Sequence, residues 1–159
     1  MEAQIANTSH VDDFFADMPS SPSALLSSRK SLLNSTDVVD KIDDKARQAR
    51  EADNHAVAAV AAWLTGDYNN ALISTNSLST DDMLSDFIGA SSLLELDSRD
   101  AAAEILDGKF ATSDKALNAL CLQTMLASRN NDGFEKVYSK AKLENSDQLY
   151  FAGRKKGTS

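Results

Sequence analysis

The sequence is poor in the residues that interrupt helices or form disulfides. Its 159 residues include six glycines, two prolines and one cysteine, and no proline follows Pro22. A β-rich chain of this size usually contains more turn residues, so we predict an all-α fold. The single cysteine, Cys121, excludes an internal disulfide framework. Because it lies in the apolar helical run "NALCLQTML", we interpret it as a core residue.

Positive charge is also scarce. The formal net charge is −8 and the pI is about 4.6. A nucleic-acid backbone binds to a basic surface, so we expect no nucleic-acid partner. No apolar run approaches the roughly 18 residues of a membrane span, and no signal peptide is recognisable. The sequence therefore predicts a cytoplasmic protein without a membrane span.

Patterns that indicate catalysis, or cofactor or metal binding, are missing. The two histidines, His10 and His55, are far apart and have no cysteine pair nearby, so no zinc spacing appears. No glycine-rich loop has the lysine of a phosphate-binding motif. We therefore expect no catalytic, cofactor-binding or metal-ligating residues, and a protein that is not an enzyme.

The two ends of the chain differ in composition from the middle. Residues 1–22 are polar and acidic without a lysine or arginine, which predicts a flexible segment. Within them, Phe14, Phe15 and Met18 would share one face of a helix. This patch is either a short helix folded back on the domain or a linear motif that docks into another protein's groove. Residues 150–159 contain "GRKK" and predict a flexible basic tail, which leaves 23–149 as the folded domain.

The strongest apolar periodicity runs over residues 37–64, with steps of three and four. Its seam consists of Val39, Ile42, Ala46, Ala49, Ala56, Val60 and Trp63. This stretch could form one continuous helix, but Asp53 or Asn54 could cap a second helix, and we favour a break there. An open Val39–Trp63 seam would offer an interface for self-association or for a larger assembly.

The stretch "AWLTGDYNNAL", residues 62–72, predicts a tight elbow between two helices. Gly66 can adopt the left-handed conformation that ends a helix, and Asp67 can cap the next one. Tyr68 would then cover the joint, and Ala71 would let the two helices approach closely.

Two further hairpins are predicted over residues 83–106 and 114–143, with turns at residues 97–100 and 129–133. Measured from Gly66, Asp97 and Asp132, the elbows lie about 31 and 35 residues apart. A period in the low thirties is typical of helical-hairpin repeats.

These residues resemble the tetratricopeptide repeat. The signature has a small residue in the first helix, then Gly-x-Tyr at the turn, then an alanine three residues later; Ala59, Gly66, Tyr68 and Ala71 match it. The second hairpin has alanines at the small positions but lacks the glycine and the aromatic residue, and the third keeps only the aromatic residue. These positions are Ala90, Ala102, Asp97, Arg99, Phe134 and Val137. A hairpin array without homology remains the alternative.

The resemblance, which covers residues 54–143, implies a concave groove that presents the first helix of each hairpin to a peptide or protein partner. With this phasing, the predicted partner-binding residues are Trp63, Ser91, Glu95, Arg129 and Asn130. Trp63 is either an exposed anchor of this groove or a core residue. The sequence thus indicates an adaptor or scaffold. One alternative is a chaperone similar to bacterial type III secretion translocator chaperones, and another is a structural subunit that uses the Val39–Trp63 seam.

Overall fold

The computed structural model describes residues 9–78, 82–107 and 114–158, with side chains from His10 to Arg154. Within these ranges the chain forms ten α-helices and no strand, which confirms the all-α prediction. The helices are α1 (Ser9–Ala16), α2 (Pro22–Leu32), α3 (Thr36–Glu51), α4 (His55–Leu64), α5 (Tyr68–Asn76), α6 (Met83–Glu95), α7 (Arg99–Leu106), α8 (Lys115–Ala127), α9 (Asn131–Tyr138) and α10 (Asn145–Thr158). Residues 1–8 of the predicted flexible segment and Ser159 of the predicted tail lie outside the described residues.

Polar side chains fix the starts of most helices. Each of these residues accepts a hydrogen bond from the backbone N–H three positions later and so satisfies a donor that the helix itself leaves unpaired. They are Ser21, Ser35, Asn54, Asp67, Asp82, Asp114 and Asn130.

Four helix pairs turn through the same backbone elbow. The residue at the elbow has a left-handed φ of 55°, 82°, 62° or 60°, at Asp53, Gly66, Asp97 and Arg129 respectively. In every elbow the next backbone N–H donates to a carbonyl five residues earlier at 2.8 Å, as from Asp67 to Ala62. This is the Schellman ending of a helix, so one turn geometry recurs along the chain.

The positions of the elbows test the predicted hairpins. Gly66 ends α4 and Asp67 caps α5, as predicted. The predicted turn over residues 129–133 is too long, because Asn130 caps α9, which begins at Asn131. Gly66, Asp97 and Arg129 therefore lie 31 and 32 residues apart, a more regular spacing than the sequence predicts.

The break that we predicted within residues 37–64 is present at Asp53. The resulting helices, α3 and α4, pack against each other. Five seam positions are buried, namely Ile42, Ala46, Ala49, Val60 and Trp63. Ala56 is exposed, however, because the elbow resets the helical phase. Within α3, Val38 is buried in place of Val39 and shares one helix face with Ile42, Ala46 and Ala49. Most of the seam is thus buried within the chain, and the Val39–Trp63 seam is not an open surface.

The hairpins α4–α5, α6–α7 and α8–α9 stack in chain order. Helix α5 contacts α4 and α6, helix α7 contacts α6 and α8, and the first helices α4, α6 and α8 contact one another in sequence. The small residues of the predicted repeats, Ala59, Ala71, Ala90 and Ala102, are all at most 1% exposed. Their size lets neighbouring helix backbones approach closely.

Helix α1 packs on the domain. Val11 is fully buried, and Phe14, Phe15 and Met18 are half-buried against the main core. Of the two interpretations of the Phe14, Phe15 and Met18 patch, a helix folded back on the domain or a free docking motif, the structure shows the first. Val11, the most deeply buried residue of α1, was not among the residues predicted to pack.

An ionic contact also holds α1. The Asp12 carboxylate lies 2.7 Å from the Lys41 ammonium and 2.8 Å from that of Lys45, both on α3. Hydrogen bonds from the two lysines lower the pKa of Asp12 to about 2. The acidic N-terminal segment, which has no lysine or arginine of its own, is therefore paired with the lysines of α3.

The C-terminal segment differs from the predicted flexible tail. Helix α10 covers Asn145–Thr158, and Phe151 is fully buried in a second apolar cluster with Leu122, Phe134, Val137 and Leu143. The rings of Phe134 and Phe151 are 6.0 Å apart. The prediction of a tail was based on the basic run "GRKK" and did not take account of Phe151, two residues before it. Among the helices of the described ranges, none is both long and apolar enough to cross a membrane.

Candidate binding cleft beneath helix α2

Helix α2 lies across the first helices of the repeats and is anchored there at its N-terminus. It contacts α6 and α8, which are far away in the sequence. The Ser23 backbone N–H donates to Oδ2 of Asp114 at 3.1 Å, and the Ser23 hydroxyl donates to Oδ1 at 2.8 Å. The same hydroxyl accepts a hydrogen bond from the Ala116 N–H at 3.1 Å. Because Asp114 also caps α8 through the Leu117 N–H, one carboxylate joins two helix starts.

The other half of α2 covers the only tryptophan of the chain. The Arg29 guanidinium lies 4.7 Å from the centre of the Trp63 ring, a cation–π contact. Its Nη2 is 3.5 Å from the Tyr68 hydroxyl. The Trp63 indole N–H donates to the Ser91 hydroxyl at 2.9 Å, and the Trp63 and Phe87 rings are 5.6 Å apart. Trp63 is therefore only 2% exposed.

A cleft of about 230 Å³ remains beside α2. Leu26, Trp63 and Phe87 contribute apolar walls, while the carboxylates of Glu95 and Asp147 belong to its polar lining. Burial raises the pKa of Asp147, and the neighbouring Glu144 carboxylate raises it further, against the opposite effect of Lys30. A cation that entered the cleft near Asp147 would relieve this unfavourable environment.

The structure separates the five predicted partner-binding residues into two groups. Trp63, Ser91 and Glu95 line the cleft together. Arg129 and Asn130 lie at the α8–α9 elbow, where Arg129 has its left-handed φ and Asn130 caps α9, and they do not line this cleft. The prediction of one exposed stripe is therefore not what the structure shows. Trp63 is buried, with the Arg29 guanidinium of α2 over its ring and the Phe87 ring of α6 beside it.

No sequence pattern marks Ser23, Arg29 or Asp114 as residues of the site. Of the three, only Asp114 was recognisable, as the start of the third predicted hairpin. Their hydrogen bond joins positions 91 residues apart, and no periodic pattern encodes such a contact.

A second cavity, of about 370 Å³, lies between α7, α8 and α9 and includes Cys121 in its lining. The thiol is buried, and this burial raises its pKa to about 11. It is therefore protonated near neutral pH and a poor nucleophile, as expected of a core cysteine. Among the described residues, no group of three or more histidine, cysteine or acidic side chains could hold a metal ion.

Comparison of the chain with protein-family models, curated proteins and solved structures finds no match.

Proposed function

We propose that this chain is a non-enzymatic protein-binding module, an adaptor or scaffold, and that the cleft beside α2 is its binding site. We further propose that its hairpins are tetratricopeptide-like repeats. The observation that supports both is the convergence of Trp63, Ser91 and Glu95, from successive first helices, on one cleft. Four elbows of a single geometry support the repeat interpretation.

The chemistry of the cleft favours a peptide segment with one apolar and one basic side chain. The apolar side chain would lie against Leu26 and Phe87, where burial from water supplies the favourable free energy. The basic group would lie between the carboxylates of Glu95 and Asp147. Charges at the edge of an interface mainly govern partner choice and the rate of association.

Selection from a displayed library of short peptides tests this function. We expect the selected peptides to be enriched in segments that combine an aromatic or aliphatic residue with lysine or arginine. Glu95→Lys should weaken their binding about tenfold, which corresponds to about 1.4 kcal/mol. The matched control is Glu135→Lys, an equal charge change at an exposed position of α9.

Both variants should keep the melting temperature of the wild type, because solvent screens exposed charges. Peptides that bind Glu95→Lys and wild type equally, but lose affinity for an Arg129→Glu variant, would place the site at the α8–α9 elbow. That result would refute the cleft as the binding site.

A further inference from the structure

Helix α2 packs across the first helices of the hairpins, where it contacts α6 and α8 and places Arg29 over Trp63 of α4. Its buried anchors are Leu25 and Leu32, and Arg29 lies between them on Trp63. These positions have the i, i+4, i+7 spacing of a helix that docks one face into a groove. The opposite face is exposed, with Ser27 and Ser31 in contact with solvent.

We propose that the surface beneath α2 is a helix-binding site in which α2 is the resident ligand. A partner helix of the same chemistry displaces α2 and takes its place. This inference rests on the proposed function, since it extends the binding cleft beneath α2 and identifies what controls access to it.

The contacts of α2 define the partner. Asp114 receives a backbone N–H and a hydroxyl at the start of the helix, so the partner begins with a serine or threonine at that position. Trp63 receives a guanidinium six residues later, about 9 Å along the axis at 1.5 Å per residue. Two leucines complete the buried face of the helix, one four residues before the arginine and one three residues after it. The partner is thus an amphipathic helix with an N-terminal hydroxyl, a central arginine and flanking leucines.

Two features make α2 displaceable. It has only 11 residues, and an isolated helix of that length is unstable in water, so the groove keeps it folded. Its buried residues are Pro22, Leu25 and Leu32 alone. Residues 33–35, which connect it to α3, lie outside both helices and can act as the hinge about which α2 leaves.

A labelled synthetic peptide of residues 20–33 is the probe, and its binding is measured by fluorescence anisotropy. The open variant carries Leu25→Asp and Arg29→Glu, which remove the resident anchors. We expect this variant to bind the peptide at least about tenfold more tightly than the wild type does, because α2 no longer competes. A peptide with the same two substitutions is the control and should not bind.

A disulfide tether supplies the closed state. Ser23 and Ala116 are in hydrogen-bond contact, and a Ser23→Cys/Ala116→Cys variant can link α2 to α8. When oxidised, it should not bind the peptide, and reduction of the same protein should restore binding to the wild-type level or above. The native Cys121 is buried and should not interfere.

Equal binding of the peptide to the open variant, the wild type and the oxidised tether would overturn the proposal. So would an absence of binding to an open variant that keeps its helical circular dichroism and its cooperative melt. If the open variant does not fold, the comparison of reduced and oxidised tether decides by itself. Library peptides that bind wild type and oxidised tether equally, and are weakened by Glu95→Lys, would refute this inference and leave the proposed function intact.

Discussion

Replacement of Asp114 by alanine should destabilise the protein by about 3 kcal/mol. Loss of the cap at the start of α8 costs about 1 kcal/mol. Loss of the two hydrogen bonds from Ser23 to a charged carboxylate adds about 2 kcal/mol, since the donors are part-buried and keep no acceptor there. For a chain of this length, 3 kcal/mol lowers the melting temperature by about 6–12 °C.

Thermal and urea denaturation followed by circular dichroism at 222 nm measures the effect. Asn130→Ala is the matched control, because Asn130 also caps a helix start, through the Gly133 N–H at 3.0 Å, but is exposed and distant from α2. The control should lose about 1 kcal/mol. Equal losses in the two variants, within about 0.5 kcal/mol, would show that the contact with Ser23 does not hold α2.

Three further predictions concern the elbows and the core. Ala71→Leu should cost about 1–3 kcal/mol, since Ala71 is fully buried where α5 meets its neighbours, whereas Asn69→Leu on the exposed side of α5 should be nearly neutral in the same melt. Gly66→Val should destabilise the protein by about 1–2 kcal/mol and Arg129→Gly should stabilise it by about 0.5–1 kcal/mol, because both positions have a left-handed φ. If urea denaturation shows that both variants change the free energy of unfolding in the same direction, the two elbows do not share one geometry. Native Cys121 should react with a thiol reagent at pH 8 far more slowly than Cys121 of the unfolded chain, and rapid labelling of the native protein would exclude its burial. The free energy of unfolding should fall as pH rises from about 9 to about 11, because the thiol ionises at lower pH in the unfolded chain than in the folded one.

The elbows show which turns a sequence reveals. Gly66 was recognisable because glycine adopts left-handed φ without strain. The other elbows use Asp53, Asp97 and Arg129, which have no such signature apart from a polar residue immediately after each. The elbow at Arg129 was predicted too long because Gly133 was taken as part of the turn.

Gly133 instead lies within α9, where it has a different role. A Cβ at this position would collide with the Asn130 side chain, so glycine makes room for the side chain that caps the helix. The glycine therefore marks the start of a helix and not the turn itself. Distinguishing these two roles requires the contacts of the folded chain.

The candidate cleft was partly predictable. Repeat phasing brought Trp63, Ser91 and Glu95 together, because residues on successive first helices recur with the hairpin period. The cover formed by α2 was not predictable, since Ser23 and Asp114 meet across 91 positions. Periodicity reports local structure and the face of each helix, but not which distant helix covers that face.

The position of α2 over Trp63 bounds the proposed cleft and fills the proposed helix-binding site, and side-chain NMR tests it most directly. With the guanidinium 4.7 Å from the ring centre, we expect nuclear Overhauser contacts between Arg29 and Trp63 and ring-current shifts of the Arg29 side-chain protons. We also expect contacts between Ser23 and Ala116, and slow solvent exchange of the indole N–H that Ser91 accepts. Random-coil shifts for Arg29, with an indole N–H that exchanges freely with water, would contradict a groove occupied by α2.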